Sequence, residues 1–146
     1  MSELVSTATA AWHGGLSDGA GTVSLASGVA GPLPVSWASR TAAADGRTSP
    51  EELIGAAHAA CFSMALSHEI AGLGGTPKTL DVTAKVTFAV TEAGASISRV
   101  ALTVSGTVDG LDADGFAKAA QAAKDGCPVS RALAVPITLT VNEQEG

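Results

Sequence analysis

Residues 49–66 read SPEELIGAAHAACFSMAL and predict a long helix with little polar surface. Ser49 is a typical N-cap, Pro50 suits the first helical position, and Glu52, three residues after the cap, completes the S-x-x-E capping-box pattern. From residue 53 to residue 66 nearly every side chain is apolar or small, so the polar stripe of a surface helix is missing. We expect this helix to be buried on almost all sides and to end at the glycines that follow it.

The rest of the chain contains patterns typical of strands and of further helices. In residues 80–90 the even positions are apolar and the odd positions from Asp81 to Thr87 are polar, which predicts a strand with one buried face. A turn at residues 92–95 and a second alternating run up to Val108 predict an antiparallel hairpin. Further strands are predicted over residues 5–12, 19–27 and 137–141, and further helices over residues 112–124 and 128–133.

These elements predict an α+β fold, but a single chain cannot bury all of their apolar surface. One-faced strands leave the other surface of a sheet in water, and one small sheet cannot cover an apolar helix on every side. We therefore hypothesise a homodimer in which the apolar helices of two chains lie together at the centre, with an antiparallel sheet outside each. The length of 146 residues fits one domain over residues 1–146.

The composition excludes several classes of function. Eight Lys and Arg against 14 Asp and Glu give a net charge of −6, and the chain has no basic stripe, so we expect no nucleic-acid partner. It has no secretory leader pattern and no apolar run of about 18 residues, so we expect a soluble cytoplasmic protein without a membrane partner. It has no Walker A sequence and no convincing G-x-G-x-x-G motif, so we expect no cofactor.

The two cysteines are the main candidates for chemistry. Cys61 lies within the apolar helix, and Cys127 lies in the segment GCPVS, residues 126–130. A static disulfide is unusual in the cytoplasm, so the two are either small buried hydrophobes or a redox or catalytic pair. Because the field of a helix end does not reach mid-helix, a thiolate at Cys61 needs a positive side chain nearby. The candidates are His58, His68, Arg40, Arg47, Arg99 and Arg131.

Three other interpretations use the same residues. Cys61 with His58, one helical turn away, suggests a Cys-His hydrolase, although this leaves Cys127 without a role. His58, Cys61 and Cys127 together suggest a zinc site, although their spacing differs from that of structural zinc motifs. The third is a dimeric protein that binds apolar ligands and whose cysteines only fill the core.

The cysteine helix and the GCPVS segment together resemble the OsmC/Ohr family, and more specifically its branch of osmotically inducible (OsmC) proteins. The resemblance extends over essentially the whole chain, in the order strands, cysteine helix, hairpin, helix, second cysteine and final strand. It implies an intertwined α+β homodimer with two active sites at the subunit interface. It also implies a thiol peroxidase that reduces organic hydroperoxides, and hydrogen peroxide more weakly, in defence against oxidative and osmotic stress.

Matched to the family, four residues take roles in the site. Cys61 corresponds to the peroxidatic cysteine, Cys127 to the resolving cysteine, Glu51 to the acidic residue after the helix-opening proline, and Arg40 to the arginine of the OsmC branch. In the Ohr branch the arginine lies near the first strands, and residues 1–39 here contain no Arg or Lys. The segment before the helix differs in length by about one residue from the family pattern, which makes Arg47 a rival for Arg40.

Helix geometry constrains where Glu51 can act. Ten residues separate Glu51 from Cys61, which corresponds to about 15 Å along a continuous helix. The two side chains cannot share a site within one chain. We therefore hypothesise that Glu51 serves the cysteine of the partner subunit, as antiparallel helices crossing at the dimer centre would allow. For Glu52 we prefer a purely structural role at the positive end of the helix dipole.

The mechanism that follows from these roles needs no cofactor. Arg40, oriented by Glu51, holds Cys61 as a thiolate and binds the peroxide oxygens. Cys61 attacks the distal oxygen, an alcohol leaves, and Cys127 condenses with the resulting sulfenic acid to form a disulfide. An external dithiol must then reduce the disulfide, and the family resemblance implies a dihydrolipoyl protein or small thiols as the reductant. The apolar residues Leu53, Ile54, Phe62 and Met64 suit organic peroxides.

Overall fold

The computed structural model describes residues 2–142. In chain order its elements are β1 (Ala8–His13), β2 (Ala20–Leu25), β3 (Leu33–Val35), α1 (Trp37–Thr41), α2 (Pro50–Gly72), β4 (Thr76–Thr91), β5 (Gly94–Asp109), α3 (Ala113–Gly126), α4 (Pro128–Ala132) and β6 (Ile137–Val141). The chain forms two compact units, of which the first ends at Leu53 and the second begins at Ile54. The predicted single domain includes residues 1 and 143–146, which lie outside the described residues, and it stays a prediction.

The first unit is built on a three-stranded antiparallel sheet in the order β1-β2-β3. The sequence patterns predicted β1 and β2, whereas β3 and α1 are too short to show a period. Ser36 begins α1, because its hydroxyl accepts from the Ser39 amide at 3.0 Å and the Ser39 hydroxyl is 3.1 Å from the Ser36 amide. The Ser39 hydroxyl also donates to the carbonyl of Thr48 at 2.8 Å, which fixes α1 against the segment that leads into α2.

Helix α2 begins and ends where its sequence predicts. Pro50 is its first residue, and the Ser49 hydroxyl accepts from the Glu52 amide at 3.1 Å. The Glu52 carboxylate accepts from the Thr48 hydroxyl at 2.7 Å. In the single chain one stripe of the helix is buried and Met64 on another face is 71% exposed, so the predicted burial on almost all sides, which the hypothesised homodimer would complete, stays a prediction. The physical reason for the exposed face is that one chain supplies packing partners for only part of the helix surface.

The second unit contains a three-stranded sheet in the order β4-β5-β6. Strands β4 and β5 form the predicted antiparallel hairpin, turning at residues 92 and 93. Strand β6 pairs parallel to β5, so this sheet is mixed, although an antiparallel sheet was predicted. Parallel pairing requires a long crossover, and α3 and α4 supply it between β5 and β6.

The core of the second unit lies between β5 and two helices. Phe62, Leu66 and Ile70 recur along one face of α2, as their spacing of four residues requires. They belong to one buried cluster with alternate residues of β5 and the inner face of α3. The other members of that cluster are Val100, Leu102, Val104, Val108, Phe116, Ala119, Ala120, Ala123 and Cys127. The predicted α+β class is confirmed. Within residues 2–142, no helix is both long and apolar enough to cross a membrane.

Candidate active site

Cys61 and Cys127 lie side by side in the second unit. Their sulfur atoms are 3.0 Å apart, within hydrogen-bonding distance, and both residues are free thiols. Cys61 is partly exposed, whereas Cys127 is fully buried. A disulfide has an S–S length of about 2.05 Å, so the pair needs an approach of about 1 Å to form one. The sequence-predicted thiol pair is therefore together in space.

Cys127 is held at the junction of α3 and α4. Its backbone amide donates to the carbonyl of Ala123 at 2.8 Å, which closes the last turn of α3. Pro128 then begins α4, and the amides of its first turn point back towards the residue that precedes it. The backbone amides of Val129 and Ser130 and the Ser130 hydroxyl all make hydrogen bonds to the Cys127 sulfur. The Val129 amide also bonds the Cys61 sulfur.

These neighbours shift the pKa values of the two thiols in opposite directions. Burial raises the pKa of Cys61, the hydrogen bond with Cys127 raises it further, and only the Val129 amide acts in the other direction. Burial alone would raise the pKa of Cys127, but the hydrogen bonds that its sulfur shares with Cys61, Ser130 and Val129 outweigh burial and lower the pKa. The groups around the pair therefore favour a thiolate on Cys127 and a proton on Cys61. Ionisation of Cys61 needs a positive charge that these neighbours do not provide.

His58 does not contact Cys61 through its ring nitrogens as a hydrolase base would. Its Nε2 atom lies 2.7 Å from the Ser130 hydroxyl, and its side chain is fully buried. Burial lowers the pKa of His58 below the ordinary value of 6.5, so the ring is neutral at neutral pH. These contacts argue against the Cys-His hydrolase. Within residues 2–142, no group of three His, Cys, Asp or Glu side chains is arranged to hold a metal ion, which argues against the zinc site.

Arg40 and Glu51 form a partly buried ion pair in the first unit. The Nε and Nη2 atoms of Arg40 lie 2.9 and 2.8 Å from Glu51 Oε1. The Arg40 guanidinium lies 5.9 Å from the centre of the Trp37 ring, within the range of a cation–π contact. The Glu51 side chain is only 8% exposed, and among the described residues its Oε2 atom has no hydrogen-bond partner. Arg47 is exposed, so Arg40 is the arginine that pairs with Glu51.

A cavity of about 380 Å³ lies beside this ion pair in the first unit. Its wall is mostly apolar and includes Arg40 and Leu53. Two tryptophans and aliphatic side chains provide the rest of that apolar surface, among them Trp12, Trp37, Leu16, Val23 and Val35. Of the four apolar residues expected to line a substrate site, only Leu53 borders the cavity; Phe62 is instead buried in the core of the second unit.

Two contacts of the site, those of Ser130 with Cys127 and of Trp37 with Arg40, were not predicted from the sequence. Ser130 follows Cys127 by three residues across a proline, a spacing at which a side chain in the first turn of a helix can bond the residue before it. That spacing was the available signal. Trp37 and Arg40 are three residues apart on α1, a spacing at which helical side chains meet, and this signal was missed because α1 itself was not predicted. His68, Arg99 and Arg131, three candidate activators of Cys61, are all exposed.

Comparison with known proteins agrees with this arrangement of elements. A model of the OsmC-like protein family matches residues 43–142. The chain is 48% identical to peroxiredoxin OsmC of Escherichia coli over 128 residues, which cover 88% of this chain and 89% of that protein. A crystal structure of an organic hydroperoxide resistance protein OsmC from Legionella pneumophila matches with a TM-score of 0.74 and 27% identity, covering 96% of this chain and 99% of that one.

A second crystal structure, of an organic hydroperoxide resistance protein from Elizabethkingia anophelis, matches with a TM-score of 0.75. Its sequence identity is 28%, and the match covers 98% of this chain and 99% of that one. The family model and the Escherichia coli relative each match well over half of this chain. The likeness therefore includes both the fold and the sequence, and the chain belongs to the OsmC-like family.

Proposed function

We propose that this protein is a two-cysteine peroxidase that reduces organic hydroperoxides to alcohols in peroxide defence. The observation that carries the proposal is the thiol pair, with a partly exposed Cys61 sulfur 3.0 Å from the buried Cys127 sulfur. A sulfenic acid formed on Cys61 would have its resolving thiol within reach. The name of the Escherichia coli relative, peroxiredoxin OsmC, supports peroxidase activity and a role in peroxide defence.

The reaction begins with nucleophilic attack by Cys61. Its thiolate attacks the distal oxygen of the hydroperoxide, the O–O bond breaks, and the alkoxide leaves with a proton as an alcohol. The sulfur is now a sulfenic acid. Cys127 attacks it, water leaves, and a disulfide between Cys61 and Cys127 results, which an external dithiol must reduce.

Arg40, oriented by Glu51, supplies the positive charge that Cys61 lacks. The neighbours of Cys61 in its own unit raise its pKa, so a guanidinium is needed to hold the thiolate. Arg40 is suitable because Glu51 fixes its orientation through two contacts to one oxygen. Glu51 and Cys61 are ten residues apart on α2, about 15 Å along its axis. In this proposal the pair therefore acts on the thiols of the partner subunit in a homodimer.

The apolar cavity supports an organic substrate over hydrogen peroxide. An alkyl or aryl group loses contact with water when it enters a cavity lined by tryptophan and aliphatic side chains, and this favours binding. Arg40 on the same wall is placed to meet the polar peroxide end of such a molecule. Hydrogen peroxide has no apolar part and gains nothing from this cavity, so it should be reduced less efficiently.

The proposal is tested by mixing the reduced protein with one equivalent of cumene hydroperoxide. Free thiols are counted and the intact mass is measured. We expect both thiols to be lost and the mass to fall by two hydrogens, with no change in Cys61→Ser. The Cys127→Ser variant should still form a sulfenic acid that dimedone traps. Unchanged thiols in the wild-type protein would refute the peroxidase and return attention to apolar-ligand binding.

A further inference from the structure

A chain of buried polar side chains leads to the Cys127 sulfur and has no role in the steps above. His58 Nε2 lies 2.7 Å from the Ser130 hydroxyl, and that hydroxyl is hydrogen bonded to Cys127. His58 is fully buried and Ser130 is 8% exposed. The chain joins residues of α2 and α4 that are 72 positions apart in sequence, so it is a product of the tertiary fold.

The contacts of His58 assign the direction of these hydrogen bonds. A hydroxyl has one hydrogen to donate. The Ser130 hydroxyl can give this hydrogen to the Cys127 sulfur only if the hydroxyl oxygen accepts a hydrogen bond from His58. In that case the proton of the His58 ring is on Nε2. The Nδ1 atom of His58 is buried without a partner among the described residues. This fits an unprotonated Nδ1, because a buried N–H without an acceptor is the rarer defect in folded proteins.

The two sulfurs consequently differ as leaving groups when a disulfide between them is broken. Three donors, the Ser130 hydroxyl and the amides of Ser130 and Val129, converge on the Cys127 sulfur, whereas Cys61 receives one backbone amide. Thiol–disulfide exchange is faster when the departing sulfur is the better stabilised thiolate. Access acts in the same direction, since Cys61 is partly exposed and Cys127 is fully buried.

We propose that Ser130, positioned by His58, donates a hydrogen bond to the Cys127 sulfur as it leaves, and that the external reductant therefore attacks Cys61. The inference rests on the proposed function, because it concerns reduction of the disulfide which that function creates. Ser130 is a catalytic residue of this step, since it touches a reacting atom. His58 is a positioning residue that acts through the Ser130 hydroxyl.

The step is a two-electron exchange between the disulfide and a dithiol. One thiolate of the dithiol bonds to the Cys61 sulfur, the bond between Cys61 and Cys127 breaks, and its electron pair stays on Cys127 as a thiolate. The second thiolate of the dithiol then attacks the other sulfur of the same dithiol, which is bonded to Cys61 in the mixed disulfide, and Cys61 leaves with the electron pair. The dithiol becomes a cyclic disulfide, and its two protons are taken up by the two cysteines or by solvent.

The first test locates the attacked sulfur in the wild-type protein. The disulfide is formed with diamide, excess 2-mercaptoethanol is added, and the reaction is stopped with acid after short times. Peptide mapping by mass spectrometry should find the 2-mercaptoethanol adduct on Cys61 and a free thiol at Cys127. An adduct mainly on Cys127 would overturn the proposal.

The second test measures how fast dithiothreitol reduces the preformed disulfide in variants of Ser130. We expect the disulfide of Ser130→Ala to be reduced about three- to tenfold more slowly. The reason is that the variant lacks a hydrogen bond to the Cys127 sulfur, which carries part of its negative charge in the transition state. Ser130→Thr keeps the hydroxyl and should recover most of the rate. The matched control is Ser63→Ala, which removes an α2 hydroxyl bonded to the carbonyl of Ala59 and should leave the rate unchanged.

His58 is tested in the same assay. His58→Gln keeps an amide donor near the position of Nε2 and should stay close to the wild-type rate, while His58→Leu should slow reduction as Ser130→Ala does. In the wild-type protein, ¹H–¹⁵N NMR of the ring should show the proton on Nε2. A proton on Nδ1, or equal reduction rates in Ser130→Ala and wild type, would overturn the assignment.

Forming the disulfide with diamide separates this inference from the proposed function. If cumene hydroperoxide fails to oxidise the thiols but diamide succeeds, the peroxidase is refuted and the reduction tests can still decide the roles of Ser130 and His58. If diamide also fails to join Cys61 and Cys127, this inference is refuted as well.

Discussion

At the scale of single residues, two neighbouring carboxylates at the start of α2 have different surroundings. Glu51 is buried and holds Arg40 through one oxygen, whereas Glu52 is exposed and accepts from the Thr48 hydroxyl. Helix periodicity alone turns adjacent side chains about 100° apart, and here it separates a carboxylate paired with Arg40 from one bonded to the Thr48 hydroxyl. The two make a matched pair for mutation.

Glu51→Gln should lower kcat/KM for cumene hydroperoxide by about ten- to a hundredfold, because a neutral amide holds the Arg40 guanidinium less firmly than a carboxylate. Glu52→Gln should stay within about twofold of wild type, since its carboxylate faces solvent. The measurement is steady-state peroxidase kinetics, with circular dichroism to verify folding. Equal effects of the two substitutions would contradict an orienting role for Glu51.

His58 predicts a specific dependence of stability on pH. Because burial lowers its pKa below 6.5 in the folded state, the unfolded chain takes up a proton at His58 while the folded chain does not. Stability contributed by neutral His58 is present above about pH 6.5 and is lost as the pH falls towards the lowered pKa. The Tm should fall more between about pH 7 and pH 5 in wild type than in His58→Gln. Parallel Tm curves would contradict this prediction.

At the scale of elements, the hairpin depends on one close approach between its strands. A Cβ at Gly106 in β5 would lie 2.4 Å from the carbonyl oxygen of Thr79 and 2.9 Å from the Leu80 side chain. The backbone of β4 cannot move aside without disturbing its pairing with β5. Glycine is therefore needed at this position for space.

Gly106→Ala should reduce the free energy of unfolding by about 1–3 kcal/mol, the usual cost of overpacking. Gly72→Ala is the matched control, because nothing lies within 4 Å of a Cβ at Gly72 near the end of α2. It should be neutral or slightly stabilising. Urea denaturation followed by circular dichroism measures both, and a Gly106→Ala protein as stable as wild type would show that the strands separate easily.

At the scale of the whole molecule, the exposed apolar face of α2 is consistent with the predicted homodimer. Met64 is 71% exposed in the single chain, although it lies in the middle of a long apolar helix. If two α2 helices pack together, Met64→Asp would bury a charge at the interface and should shift the protein to monomer. Light scattering at micromolar concentration measures this. Ala122→Asp, on an exposed position of α3, should leave the mass unchanged.

The sharing of sites between subunits has its own test. A Glu51→Gln chain and a Cys61→Ser chain are each expected to have little activity. When they are mixed and allowed to exchange subunits, each heterodimer should contain one site with both an intact Glu51 and an intact Cys61. Peroxidase activity should therefore return on mixing. No recovery, with heterodimers verified by mass spectrometry, would place Glu51 in the site of its own chain.

The elements that could be predicted from the amino-acid pattern are those whose signals are local. The Ser49 cap, Pro50 and the apolar run predict α2, and alternation predicts the β4–β5 hairpin, because both patterns repeat within a few residues. The motifs around Cys61 and Cys127 also identified them as a thiol pair and indicated the family. Short elements such as β3 and α1 left no period to detect, and the parallel pairing of β6 depends on a crossover that no local pattern records.

The contacts within the candidate site, in contrast, could not be predicted from local patterns. The 3.0 Å approach of the two sulfurs joins residues 66 positions apart, and the contact of His58 with Ser130 joins residues 72 apart. The pairing of Glu51 with Arg40 and not with Arg47 depends on how α1 presents the Arg40 side chain. Likewise, the different pKa shifts of the two thiols arise from burial and from donors at the α3–α4 junction. Contacts between distant residues and the exclusion of water are properties of the packed chain, so no local pattern contains them.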